Sequence, residues 1–293
     1  MGAMAFAFRT ASPDERAWYE RTLYPLQDRI LRLAATYGDA LVLTGGTALA
    51  RLYLHHRFSD DLDLFTARPK AGELGRDFLN LLRAEGFAVD EQLRSEGFVR
   101  ATASDGSVGI QIDVAPDNPR IDPVAPSQLG VWAHSLREIG ANKVSAVEDR
   151  FEIKDALDLY FLERRMPLAE MFADAEHKRV PLAYEALAYL REREFTGNAL
   201  LQHDLDGSDF EAFLARLRIE IESAIQKKTD SATAEIGSLV ASLLWDTPRE
   251  ARVVSSTTLP VLRRRMARLS LPQRLALDGA LSAYARRHRE TAG

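Results

Sequence analysis

Three aspartates fall within four positions, Asp60, Asp61 and Asp63, next to the alternating Leu62 and Leu64. Carboxylates crowded this closely repel one another unless a cation is held among them. Alternate side chains of a strand share a face, so Asp61 and Asp63 project together about 7 Å apart, with Leu62 and Leu64 turned to a core. Such a pair suits one or two magnesium ions, hard cations that take carboxylate oxygens and keep water and phosphate oxygens as further ligands. Asp113, between Ile112 and Val114 in the alternating stretch Gly109 to Val114, is the expected third carboxylate, as metal ligand or as base. One aspartate by itself more often ends a loop or marks a strand edge; three in this arrangement reverse that balance.

About 15 residues before Asp61 stand Gly45 and Gly46, followed by Thr47. Glycines let a backbone approach a phosphate closely, and a helix beginning there adds unpaired N–H groups and a partial positive charge. The Thr47 hydroxyl can add a donor. A Gly-Gly-Thr turn is weak taken alone, because strand-to-helix turns use glycine for geometric reasons; the acidic strand that follows gives it force. Arg57 lies between the turn and the aspartates, where a guanidinium could grip a polyphosphate or neutralise Asp60 or Asp61. Ser59 is read as a turn cap, with proximity to a transferred phosphoryl group as the alternative. His55 reads as a surface residue.

The elements that must carry these residues follow from periodicity. Ser12-Pro13-Asp14-Glu15 has the cap, proline and acid of a helix start, and the helical pattern continues to about Tyr37. Leu41 to Thr44 reads as a buried strand, Thr47 to His55 as a helix and Leu62 to Thr66 as a second strand. A helix over 70–85 ending at Gly86 precedes three strands, Phe87 to Leu93, Gly97 to Ala103 and Val108 to Val114. Beyond Leu136 helices dominate: Asn142 to Asp149, Lys154 to Arg164, Leu168 to Lys178, Leu182 to Glu194, Asp209 to Lys227, Ala232 to Leu244 and Leu271 to His288. Thr196 to Ser208 reads as a loop. The fold class is therefore α+β, a mixed sheet flanked by helices over 5–165 and an all-helical domain over 166–293, divided near Met166-Pro167 where proline interrupts the pattern.

With 293 residues, 46% of them hydrophobic, the chain is long enough for two domains. It has no cysteine, which excludes disulfides, thiolate nucleophiles and cysteine-based metal sites. No apolar run approaches the roughly 18 residues of a membrane span, and the start lacks the regions of a signal peptide, so a soluble, cytoplasmic protein is expected.

The run Gly45-Gly46-Thr47-Ala48-Leu49, then His56-Arg57, Ser59 and Asp61-Leu62-Asp63-Leu64-Phe65, closely resembles the signature of the AbiEii/AbiGii toxin family within the polymerase β-like nucleotidyltransferases. Asn142-Lys143-Val144-Ser145-Ala146, Arg150 and Lys154-Asp155-Ala156-Leu157-Asp158-Leu159-Tyr160 resemble its second hallmark. The resemblance covers roughly residues 40 to 165 and is specific as a set. It implies an N-terminal polymerase β-like nucleotidyltransferase domain and a toxin that uses a nucleoside triphosphate and magnesium, in some members to modify tRNA, and that is encoded beside a DNA-binding antitoxin. By the same resemblance Gly45, Gly46 and Thr47 bind triphosphate and Asp61 and Asp63 bind metal. Lys143 then contacts phosphate, and Asp155 or Asp158 completes the site. Asp155 and Asp158 are three apart and so share a helix face, and Lys143 could stabilise charge on a leaving pyrophosphate. Without the family pattern Lys143, Arg150, Lys154, Asp155 and Asp158 read rather as a charged helix-surface network with no catalytic part.

Between 251 and 293 nine arginines stand against two acids, a local charge of +7 in a chain whose total is −5. That suits an RNA backbone, and equally a solvated helix face or an acidic antitoxin surface. The leading expectation is transfer of NMP from an NTP to an acceptor, an RNA 3′ end such as that of tRNA, with growth inhibition as the outcome. Transfer to a protein or small molecule, and a non-catalytic nucleotide-sensing or partner-binding module, are the alternatives.

Overall fold

The computed structural model describes residues 7–106, 108–117, 119–149, 152–178 and 195–224. The expected helices at Leu182 to Glu194, Ala232 to Leu244 and Leu271 to His288 lie outside these residues, as does the arginine-rich stretch. The chain divides into two compact units, Met1–Glu220 and Ile221–Gly293.

In the first unit β1 (Phe8–Thr10) leads into α1 (Pro13–Trp18), which continues through a π turn (Tyr19–Leu23) into α2 (Tyr24–Ala35). The expected helix start is present: the Ser12 hydroxyl accepts from the Glu15 N–H, and the Glu15 carboxylate accepts from the Ser12 N–H. These two bonds satisfy backbone donors that a helix start leaves unpaired. Next come β2 (Val42–Thr44), α3 (Gly45–Ala48) with its π-helical extension (Leu49–Tyr53), β3 (Leu62–Thr66), α4 (Ala71–Ala84), β4 (Ala88–Arg94), β5 (Val99–Ser104) and β6 (Gly109–Pro116). Two short strands, β7 (Ala125–Pro126) and β8 (Trp132–Ala133), precede α5 (Leu136–Asp149), α6 (Ile153–Glu163), α7 (Leu168–His177) and β9 (Ala199–Leu201). Among the described residues a further helix, α8, covers 207–224.

Seven strands form one mixed sheet in the order β4-β5-β6-β3-β2-β8-β7, with β3 parallel to β6 and antiparallel to β2. Alternation decides its two faces. Leu62, Leu64, Val99, Ala101, Ile110, Ile112 and Val114 are buried on one side, where α4 packs with Leu74, Phe78, Leu79 and Leu82. The opposite face carries the half-buried Asp63, Arg100 and Asp113. The architecture is thus α+β, a mixed sheet flanked by helices.

The loop expected over Thr196 to Ser208 instead contains β9, which pairs parallel with β1. Its Ala-Leu-Leu run is too short for a visible period-2 signal, and pairing with a strand nearly 190 residues away supplies its backbone partners. β9 also fixes the chain before the aspartates: Phe58 N–H donates to Leu200 O at 2.8 Å, and Gln202 N–H donates to His56 O at 2.9 Å. β1, β7 and β8, each of two or three residues, were beyond the reach of the pattern for the same reason.

Candidate active site

The glycine turn and the acidic strand meet directly. Thr44 is the register partner of Asp63, so Gly45 follows at the sheet's end beside that carboxylate. Gly45 has φ +67°, a conformation that costs other residues about 1–2 kcal/mol. A Cβ on it would overlap the Asp63 carboxylate. A Cβ on Gly46 would run into the Arg57 guanidinium and come within 3.1 Å of Ser59 Oγ. Both glycines are therefore needed for close approach, and their neighbours are the aspartate, arginine and serine named by the sequence.

Helical structure begins at Gly45, two positions earlier than periodicity placed it, since glycines carry no side chain to signal a helix face. The Thr47 hydroxyl donates to the Asp61 carbonyl, tying the turn to the start of β3. Asp60 belongs to the turn: it accepts from the Tyr19 hydroxyl at 2.6 Å, while Gln27 Nε2 donates to the Ser59 and Asp60 carbonyls at 3.0 and 3.2 Å. Burial, then the hydrogen bond to Asp60, pushes the Tyr19 hydroxyl well above its ordinary range. Asp61 keeps 42% of its side chain exposed, 4.0 Å from Lys154 Nζ, which also pairs with Glu152 at 3.0 Å.

Register extends the acidic row. Asp63 pairs with Asp113 across the parallel β3–β6 ladder, and Asp113 pairs with Arg100 across β5–β6. Residues so paired share a face about 4.8 Å apart, where like charges destabilise and opposite charges help. Arg100 meets Asp113 with both arms of its guanidinium, Nε to Oδ1 at 2.8 Å and Nη2 to Oδ2 at 2.6 Å. Its pKa is raised, first by this bond, with Asp61 and Asp63 adding to the effect. Arg100 escaped the sequence reading, although its place opposite Asp113 in two alternating strands was the signal that could have found it.

Arg57, Lys143, Asp155 and Asp158 come together in a second cluster, buried where a surface network was the alternative. Arg57 is 4% exposed, Lys143 6%, and both aspartates 0%. Arg57 Nε and Nη2 donate to the two oxygens of Asp158 at 2.7 and 2.9 Å, and Nη1 donates to the Phe58 carbonyl at 2.9 Å. Lys143 Nζ lies 2.8 Å from Asp155 Oδ1 and 2.7 Å from Asp158 Oδ2. Two cations balance two anions, as burial of charge requires. Burial alone would raise the Asp158 pKa, but Arg57 and Lys143 hold it well below the usual carboxylate range. Burial likewise opposes the charge of Lys143, which Asp155 and Asp158 keep raised.

His56 Nε2 lies 2.7 Å from Asp158 Oδ1. Burial lowers the His56 pKa against the pull of Asp158, so the ring is neutral and donates through Nε2, leaving Nδ1 buried without a partner. Arg57 joins the two clusters, its Nη2 donating to Asp158 and also lying against Gly46.

A third feature lies outside every motif. His134, following β8, places Nδ1 3.0 Å from the Thr44 hydroxyl and Nε2 2.8 Å from Asp117 Oδ2. All three are buried, so this chain braces the residue entering the glycine turn.

Magnesium fits the donor set at the sheet's end. Among the described residues no three His, Cys, Asp or Glu form a cage, and magnesium needs none, since one or two carboxylates suffice beside water and phosphate oxygens. Asp61 and Asp63 supply those, and the missing Cβ at Gly45 lets the Asp63 carboxylate lie directly against the turn. Among the described residues no helix is long and apolar enough to cross a membrane.

No curated protein matches the chain. Of solved structures, JHP933 from Helicobacter pylori is similar at 20% identity, covering 74% of this chain and 96% of that one, with a TM-score of 0.47. MenT4, a nucleotidyltransferase toxin from Mycobacterium tuberculosis, is similar at 20% identity over 68% of this chain and 82% of its own, also with a TM-score of 0.47. Residues 29–233 match the family model described as nucleotidyl transferase AbiEii toxin, Type IV TA system, and the chain belongs to that family of nucleotidyltransferase toxins.

Proposed function

We propose that the protein is a magnesium-dependent enzyme that transfers NMP from an NTP to an RNA 3′ end, tRNA being the first acceptor to try, and thereby inhibits growth until a cognate antitoxin restrains it. The observation that carries this reading is the contact between turn and strand: only glycine at 45 leaves room for the Asp63 carboxylate against the turn. A triphosphate and a carboxylate-bound cation must meet in just such a place.

In this reading Gly45, Gly46 and the N–H groups opening α3 receive the triphosphate, and Thr47 holds the turn to β3. Asp61 and Asp63 would hold magnesium, which when bound neutralises phosphate charge as a Lewis acid. Arg57, against Gly46, and Lys143 would act on charge gathering on the leaving pyrophosphate only by sharing their bonds to Asp158 and Asp155 with it. Asp158 keeps both cations in place, and Asp155 shares Lys143 with it. Ser59 stands beside Gly46, able to cap the turn or meet a phosphate oxygen. Asp113 acts as third ligand or as base toward the attacking ribose hydroxyl. The segment 166–293, with its arginines between 251 and 293, would bind the acceptor backbone through phosphate contacts. A soluble, cytoplasmic protein follows from the same reading.

The test supplies each of the four NTPs, α-labelled, with Mg²⁺, total cellular RNA and total protein, and resolves the products by size. Label is expected in small RNA, absent from the Asp61→Ala, Asp63→Ala double variant, and reduced at least tenfold by replacing Arg263, Arg264 and Arg265 with alanine. Label in protein or in a small molecule would refute the RNA acceptor. NTP binding with no pyrophosphate released under any condition would refute catalysis.

A further inference from the structure

We propose that Arg100 is a substrate-displaced counter-ion, which holds Asp113 out of the metal site until a triphosphate draws the guanidinium away. The inference rests on the NTP and magnesium reading above and assigns Arg100 a role within that site as a positioning residue.

Geometry sets up the competition. Thr44, Asp63, Asp113 and Arg100 form one row across β2, β3, β6 and β5, so Asp113 stands between a carboxylate and a guanidinium on one sheet face. Both Asp113 oxygens face the fork, at 2.8 and 2.6 Å. A cation approaching Asp113 from the Asp63 side meets the positive charge behind those oxygens, so metal ligation and the fork oppose each other. If Arg100 were lost, Asp63 and Asp113 would face each other about 4.8 Å apart without the guanidinium's charge, a repulsion that a divalent cation would relieve.

The same geometry lets Arg100 leave. Asp113 is 14% exposed, but the Arg100 side chain is 40% exposed, so its guanidinium sits at the solvent edge on a long stem. Beside Asp61 and Asp63, a triphosphate would present oxygens that match the fork as well as a carboxylate does. An ordinary cross-strand pair would have no reason to answer to nucleotide.

Manganese, which binds carboxylate sites as magnesium does, can be counted by electron paramagnetic resonance on the full chain. Without nucleotide, Arg100→Gln is expected to bind Mn²⁺ about tenfold more tightly than the unsubstituted protein, equal to about 1.4 kcal/mol. The gain should vanish in Arg100→Gln, Asp113→Asn. A non-hydrolysable NTP analogue should bind Arg100→Gln about tenfold more weakly. Arg100→Lys, which keeps the charge without the fork, should fall between on both readings, and far-ultraviolet circular dichroism establishes that each variant is folded. Unchanged Mn²⁺ affinity in Arg100→Gln, or a gain that survives Asp113→Asn, would overturn the counter-ion role while leaving the site reading intact. If Asp61→Asn and Asp63→Asn leave binding of the Mn²⁺–NTP analogue complex unchanged, the site reading falls and this inference falls with it.

Discussion

Replacing Asp158 by asparagine removes one charge and almost no volume from the buried cluster. The aspartate takes two bonds from Arg57, one from His56 and one from Lys143. Afterwards Lys143 keeps Asp155, but Arg57 loses its ion-pair partner. It keeps the Phe58 carbonyl and the new amide oxygen, dipoles facing a full charge that is 4% exposed, with Asp155 and Asp60 acting on it only through space. Breaking a buried pair from one side costs about 3–5 kcal/mol, because the surviving charge is left uncompensated. Asp155→Asn is the matched comparison, since Lys143 then retains Asp158 and both Arg57–Asp158 bonds stay in place. The Lys143 hydrogen bond lost there is worth about 1.5–3 kcal/mol. In urea unfolding followed by circular dichroism, Asp158→Asn should shift the midpoint well beyond Asp155→Asn with an unchanged slope. At about 2–4 °C per kcal/mol for a domain of this size, its melting temperature should fall by roughly 6–20 °C. An Asp158→Asn cost equal to or below that of Asp155→Asn would refute the claim that Asp158 is the hub on which Arg57 depends.

Gly45→Ala should lose about 1–2 kcal/mol from its φ of +67° and about a hundredfold in nucleotide transfer, because the new Cβ displaces the Asp63 carboxylate. Gly38→Ala is its control, with φ +60° and nothing within 4 Å of the added Cβ, so it should lose similar stability and no activity. Equal activity in the two variants would dismiss the cradle. The pH dependence of stability should carry a His56 component. Its folded pKa is lowered, by burial first, so its contribution is complete above the ordinary histidine value of about 6.5 and is lost as pH falls through the folded value. The melting temperature of the unsubstituted protein should therefore converge on that of His56→Gln as pH falls from about 7.5 to about 5.5. Asp158, also depressed, adds its own loss only at more acid pH. A constant gap between the two curves would contradict a buried neutral imidazole.

Much of the site was legible because its chemistry is local in sequence. The run from Leu43 to Phe65 holds the glycine turn, Arg57, Ser59 and both exposed-face aspartates, and β3 spans the residues alternation assigned to it. Asp155 and Asp158 share a helix face by their spacing of three, and both do reach Lys143. The burial of that cluster was not legible. Charged residues on a helix read as a solvated face until other segments cover them, and here β9 fixes the segment bearing His56 and Arg57.

The sequence by itself determined the elements with strong periodicity, the pairing of two carboxylates with a glycine turn, and the family, since each depends on residue types at short spacing. Only the tertiary structure decided which distant charges meet. Arg100 holds Asp113, Asp158 holds Arg57, His134 joins Thr44 to Asp117, and β9 pairs with β1. Register and burial set those contacts, and both arise from segments tens to hundreds of residues apart, beyond any period a local pattern can carry.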